Sequence, residues 1–259
     1  MVSGIYFFIQ NTRYEILYTK FMSGHSHWAG IKQRKGVNDA KKASVFTKYG
    51  RLISIAAKQG GGNPEHNFSL RLAIDQARSV NMPKDTIERA IKKGTGELKD
   101  GAEIEEVIYE GYGPGNVAML IKTATDNRNR TFSEIKSFFT KGGGKLGSEG
   151  SVKFMFKQVG SLEISAEGKN LDEVEMAAIE AGAEDIVSEG DFIVVYTATA
   201  ELQKIKEALE KAGMKIEGAG LVYVPLQKME LADDAKASYE NLWEKLDEHD
   251  DVQEIYDNL

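Results

Sequence analysis

The stretch GHSHWAGIKQRKG, from Gly24 to Gly36, gathers side chains that can do chemistry. It holds His25 and His27, two of the four histidines, with Trp28, Lys32, Arg34 and Lys35, and it has no acidic residue in a chain of formal net charge -7. Three chemistries compete for it: metal ligation, a targeting signal, and contact with a polyanion. Zinc takes about three protein ligands in a catalytic site and four in a structural one. The H-x-H pair offers two, His66 and His249 are remote in sequence, and no carboxylate lies in the segment. We therefore expect no metal and no cofactor.

Targeting is disfavoured by the residues ahead of this stretch. In residues 1–21 the longest apolar run is Ile5 to Ile9, with only Arg13 and Lys20 as cations. A signal-peptide core needs about 7–15 apolar residues after a positive flank. We read residues 1–21 as an extension ahead of a start at Met22. That leaves the polyanion. Lys and Arg neutralise phosphate, while Trp28 and the histidines can stack on bases or the sugar edge. Gly24, Gly30 and Gly36 would leave such an arm pliant until bound. A bare tail, or a tryptophan packed on the neighbouring helices, is the alternative.

The charge distribution supports a contact with a polyanion. Residues 22–98 carry nine Lys and five Arg against three Asp and three Glu, an excess of eight positive charges. Residues 99–259 carry 17 cations and 33 anions, an excess of 16 negative charges. Such a division suggests a basic module that meets a polyanion, joined to an acidic body that does not. There is no cysteine, so disulfides, thiolate nucleophiles and cysteine-held zinc are excluded. No apolar run approaches the roughly 20 residues needed to cross a bilayer. These features fit a reducing compartment and predict no membrane partner.

The elements that must position the cations follow from periodicity. In NDAKKASVFTKYGRLISIAAKQGGG, Phe46, Tyr49, Ile53 and Ala56 recur at helical spacing, with Lys41, Lys48, Arg51 and Lys58 on the other side and Lys42 beside them. Asn38 is a plausible N-cap, and Gly60 to Gly62 a stop. A second helix, NFSLRLAIDQARSVN, turns Leu70, Ile74 and Ala77 inward and Arg71 and Arg78 outward, with Asp75 as intrahelical partner. A third, MPKDTIERAIKKG, starts at Pro83, carries Lys92 and Lys93 in its last turn and stops at a left-handed Gly94.

Beyond Glu103 the texture changes. EEVIYEGYGPGNVAMLIKTATD predicts two strands around a Gly-Pro-Gly turn. TFSEIKSFFTKGGG predicts a helix opened by a Thr131–Glu134 capping box, and SVKFMF a third strand. SLEISAE, NLDEVEMAAIEAG, AEDIVSE, DFIVVYTA, TAELQKIKEALEKAG and MKIEGAGLVYVPL then run β-α-β-β-α-β, the ferredoxin-like order. The tail adds a helix, DDAKASYENLWEKLDEH, and a strand, VQEIY. The expected fold is α+β with three domains. A basic helical bundle spans 22–98, a discontinuous α/β domain spans 99–156 and 227–259, and a ferredoxin-like domain, 157–226, is inserted in it.

Other motifs carry less. Gly142 to Gly147, GGGKLG, matches G-x-G-x-x-G, but it follows a helix and precedes a strand, the reverse of a dinucleotide site. As a Walker A loop it fails at Phe139 and Leu146. In DNRNRT, Arg128 and Arg130 precede the predicted helix, where phosphate would be favoured; pairing with Asp126 or other carboxylates is equally open. No acid/base pair and no Ser/His/Asp arrangement is evident, so no enzyme is expected.

Five stretches in order, SGHSHWAGIKQRKGVNDAKKASVFTK, RLAIDQARSVNMPKDTIERAIKKGTG, YEGYGPGNVAMLI, TDNRNRT and GSVKFMF, closely resemble the YebC/PmpR family over Met22 to Leu259. The resemblance implies a helical domain with two α/β domains and a cytoplasmic, non-enzymatic regulator of gene expression. It also implies either of two targets: DNA, in transcriptional control, or ribosomal or transfer RNA, in a ribosome-associated translational activator that relieves stalling. The expected contacts are His25, His27, Trp28, Lys32, Arg34, Lys35, Lys41, Lys42, Lys48, Arg51, Lys58, Arg71, Arg78, Lys92, Lys93, Arg128 and Arg130, with the acidic body free to meet a protein partner.

Overall fold

The computed structural model describes residues 39–98, 103–165, 171–189 and 192–259. The 24–36 stretch and the predicted cap Asn38 lie outside them, as do the side chains of Lys41 and Lys42. Among the described residues there are seven α-helices and two four-stranded antiparallel sheets.

Three helices come first: α1 (Asp39–Gly60), α2 (Phe68–Ser79) and α3 (Lys84–Gly94). Tyr49, Ile53, Ala56 and Ala57 of α1 bury against Leu70, Ala73, Ile74 and Ala77 of α2 and Ile87 and Ala90 of α3. Asn67 caps α2 by accepting from the Leu70 N–H, and its amide donates to the Ala56 and Gly61 carbonyls. It thereby ties the stop of one helix to the start of the next.

Two details differ from the sequence expectation. Pro83 is the N-cap of α3, with extended backbone, and the helix begins one residue later. Gly94 is not left-handed; that role falls to Gly96 at φ 77°. A Cβ at Gly94 would lie 2.2 Å from the Ser54 carbonyl oxygen and 2.8 Å from the Ala57 Cβ. Glycine is needed there because α1 and α3 touch backbone to backbone.

The first sheet is built from β1 (Glu105–Tyr112), β2 (Ala118–Thr125), β3 (Lys145–Leu146) and β8 (Val252–Asp257), in the order β3-β1-β2-β8. Helices α4 (Arg128–Lys141) and α7 (Asp233–Asp247) cover one face. Met119 and Ile121 point to these helices and meet Ile135, Phe139, Leu242 and Leu246. Ala118 and Leu120 point the other way, to Val152, Phe156 and Tyr223. Burial on both faces explains why β2 is apolar without clean alternation.

The second sheet holds β4 (Phe156–Ser165), β5 (Asp185–Glu189), β6 (Phe192–Thr197) and β7 (Ile216–Pro225), ordered β5-β6-β4-β7. Helices α5 (Leu171–Ala181) and α6 (Leu202–Lys211) pack on it through Val174, Ala178, Ile205 and Leu209. Phe68 and Leu72 of α2 join this cluster.

SVKFMF is not the third strand of the first sheet. Lys153–Met155 forms a 3-10 turn, and the strand that starts at Phe156 belongs to the second sheet and runs unbroken through the predicted SLEIS segment. The first sheet's missing strand is Lys145–Leu146, two residues inside the glycine-rich loop, bonded to Tyr112 and Gly111. The capping box also gives way. Asn127 accepts from the Arg130 N–H and opens α4 four residues before Thr131 would. Arg128 and Arg130 therefore sit in the first turn of the helix, not ahead of it.

Candidate nucleic-acid interface

Two cations on the basic side of α1, Lys48 and Arg51, are turned to the acidic body. Lys48 donates to the Asp247 carbonyl at 2.6 Å, capping the end of α7, where free carbonyls and the helix dipole favour a cation. Arg51 donates to the Asp250 carbonyl at 2.6 Å and to the Asp251 carboxylate at 2.5 Å, and Ser44 donates to the Asp250 carboxylate at 2.8 Å. Helical spacing separates the two sides of α1 correctly. It cannot say that the acidic tail covers the basic side.

Asp251 is the hub of this contact. Its carboxylate is 2% exposed and accepts from Arg51, from Arg130 at 2.8 Å, from Thr131 at 2.5 Å and from Thr125 at 3.1 Å. Burial pushes its pKa up, but the hydroxyl donors and the two guanidinium groups outweigh burial and hold it at about 2. Arg51 and Arg130, both expected at phosphate, thus converge on one internal carboxylate. Arg130 also pairs with Asp126 at 3.0 Å.

His249 stands beside the hub. Its Nδ1 accepts the Asp251 N–H at 3.1 Å, so the ring proton sits on Nε2 and is donated to Glu134 at 2.8 Å. Glu134, expected in a capping box, serves here instead. Among the described residues no group of three or more His, Asp or Glu side chains could hold a metal ion.

The remaining cations are dispersed. Lys58 pairs with Glu103 at 2.8 Å, and Arg78 lies 3.7 Å from Asp75. The Arg71 guanidinium lies 5.8 Å from the centre of the Phe68 ring. Lys92 and Lys93, in the last turn of α3, have no carboxylate partner among the described residues. Arg128 is exposed; its carbonyl accepts from the Tyr109 hydroxyl, and one turn on stands Phe132, 43% exposed, with the Lys136 ammonium 5.8 Å from its ring centre. Arg128, Phe132 and Lys136 recur every four residues and share one side of α4. A cation–aromatic–cation row of this kind suits a polyanion with planar bases, and of its members only Arg128 is an expected contact from the sequence.

Comparison with known proteins identifies the family. The TACO1/YebC protein N-terminal domain matches residues 26–97, and the TACO1/YebC second and third domain matches residues 104–259. A "Probable transcriptional regulatory protein" of Acidithiobacillus ferrooxidans is 48% identical over 237 residues, covering 92% of this chain and 94% of the relative. One of Fusobacterium nucleatum, bearing the same description, is 46% identical over 239 residues, covering 92% and 96%. The crystal structure of a conserved hypothetical protein from Aquifex aeolicus superposes with a TM-score of 0.83 at 45% identity, covering 90% of this chain and 96% of that one. The chain belongs to the TACO1/YebC family.

Proposed function

We propose that this chain is a non-enzymatic, cytoplasmic regulator of gene expression that acts by binding nucleic acid, with DNA as the target in the transcriptional reading that its relatives' names carry. One observation carries the reading: eight excess positive charges in residues 22–98 beside 16 excess negative charges in residues 99–259. We read the chain as three domains, 22–98, 99–156 with 227–259, and 157–226. The pairing of β8 with β2 and the strand order β5-β6-β4-β7, which is the ferredoxin-like order, support this division, with Phe156 opening the first strand of the inserted sheet. Within this reading the interface comprises residues 24–36 with Lys92, Lys93 and Arg128, whereas Lys48 and Arg51 fasten the basic domain to the acidic body.

A second reading, a ribosome-associated translation factor on ribosomal or transfer RNA, is favoured by the same fastening. The most basic helix spends Lys48 and Arg51 on the body, so those residues cannot read a major groove. The backbone contacts that remain suit irregular RNA.

The test is binding of the full chain to duplex DNA and to ribosomes across a salt series. Charge reversal at Lys92 and Lys93 is expected to weaken binding and to flatten the slope of log K against log salt by about 1–2. Sequence-selective duplex binding supports transcription; co-sedimentation with ribosomes supports translation. An unchanged slope removes α3 from the interface.

A further inference from the structure

Phe154 is 70% exposed, the highest value among the exposed large apolar side chains of the described residues. It does not sit on a loose loop. The chain from Gly147 to Lys153 is held from beneath by Glu110 of β1, a carboxylate 3% exposed. Its Oε1 accepts from the Gly150 N–H at 2.7 Å, and its Oε2 accepts from the Val152 and Lys153 N–H groups at 2.8 Å each. The Glu110 carbonyl accepts from the Gly147 N–H at 2.8 Å. Burial raises the Glu110 pKa, yet the three backbone donors and nearby Lys153 prevail and lower it. Val152, fully buried two residues before Phe154, pins the loop into the core between the sheets.

On the far side, the Leu226 N–H donates to the Met155 carbonyl at 2.8 Å, which brings Leu226, 67% exposed, to the same rim. The Lys153 ammonium lies 5.9 Å from the Tyr223 ring centre. Lys153 and Lys157 flank the phenyl ring in sequence and both are exposed; Lys157 is paired with Glu184 at 2.8 Å.

A carboxylate buried to fix a loop whose tip is an exposed aromatic ring is a costly arrangement for a surface without a role. Immobility is what a stacking contact needs, because the ordering cost is met before the ligand arrives. We propose that Phe154, on the pedestal held by Glu110, stacks on an unpaired base of the nucleic-acid partner, with Lys153 toward the phosphates. The occupant is a single strand and not a protein, because the Lys153 ammonium stands next to the ring in the chain and a nucleotide offers both a π-face and a phosphate. The inference rests on the nucleic-acid reading above and adds a contact outside the basic helices.

The experiment measures anisotropy of a fluorescein-labelled 12-residue RNA, the same sequence as single-stranded DNA, and duplex DNA, each with the full chain. Phe154→Ala is expected to weaken single-strand binding roughly 5- to 100-fold and leave the duplex unchanged. Phe154→Trp is expected to retain affinity and show quenched fluorescence on binding, after subtraction of the parent's signal. Glu110→Gln, with Phe154 in place, is expected to weaken the single strand in the same direction. A larger loss with RNA than with DNA identifies RNA as the source of the base; equal losses identify the base alone. Unchanged single-strand affinity in Phe154→Ala overturns the proposal while leaving nucleic-acid binding intact. Full retention by Phe154→Leu overturns stacking in favour of a merely apolar contact. Absence of binding by the parent chain to all three probes overturns this proposal together with the reading it rests on.

Discussion

Replacement of Asp251 by Asn tests whether the tail carboxylate fastens the basic helices to the acidic body. Asp251 is held at about pKa 2 against an ordinary value of 3.8, and the gap corresponds to roughly 2.5 kcal/mol at neutral pH. The folded value lies below the unfolded one. The stabilisation is therefore full above about pH 4 and lost as pH falls through 2. Asparagine keeps the volume but offers one neutral acceptor to four donors. Arg51, 15% exposed, then loses its charge partner, whereas Arg130, 43% exposed, can turn fully to Asp126. We expect Asp251→Asn to cost about 2–3 kcal/mol at pH 7. Urea unfolding of both proteins, followed by far-ultraviolet circular dichroism from pH 7 down to pH 2, reads this directly. The difference between them should shrink over the last two pH units. A loss below about 0.5 kcal/mol at pH 7, or a difference constant across the whole pH range, would refute the account.

Two further substitutions probe how the helical region is assembled. Gly94→Ala forces α1 and α3 apart at the Ser54 carbonyl and is expected to cost about 2 kcal/mol in thermal unfolding; Gly96→Ala, in open space at φ 77°, should cost about 1 kcal/mol. Equal losses would show that the close approach carries no strain. Asn67→Ala removes one cap acceptor and two donors to buried or half-buried carbonyls, with an expected loss of about 2 kcal/mol in urea; a loss of a few tenths would reduce Asn67 to an ordinary surface cap.

Long periodic segments were legible in the sequence. The inward faces of α1 and α2 follow from Tyr49, Ile53, Leu70 and Ile74 at helical spacing, and those residues are buried together. Short or cooperative features were not. Two residues of strand, Lys145–Leu146, carry no periodic signal and exist because β1 offers a free edge. The start of α4 was misplaced because Asn127 and Thr131 are both good caps by type. Thr131 is drawn inward by Asp251, which leaves the capping to Asn127. Glu110 read as one acidic residue in a strand, and nothing local announced the three backbone donors 40 to 43 residues away.

The sequence by itself determined the division of charge, the inward sides of α1 and α2 and the family, because these are properties of composition, spacing and ordered motifs. Only the tertiary structure decided which cations remain free to meet a partner. Arg51 and Asp251 are 200 residues apart in the chain, yet they share a hydrogen bond. Periodicity describes how a helix divides into sides. It carries no information about which side another part of the chain will cover, and here the acidic tail covers the side that looked most suited to phosphate.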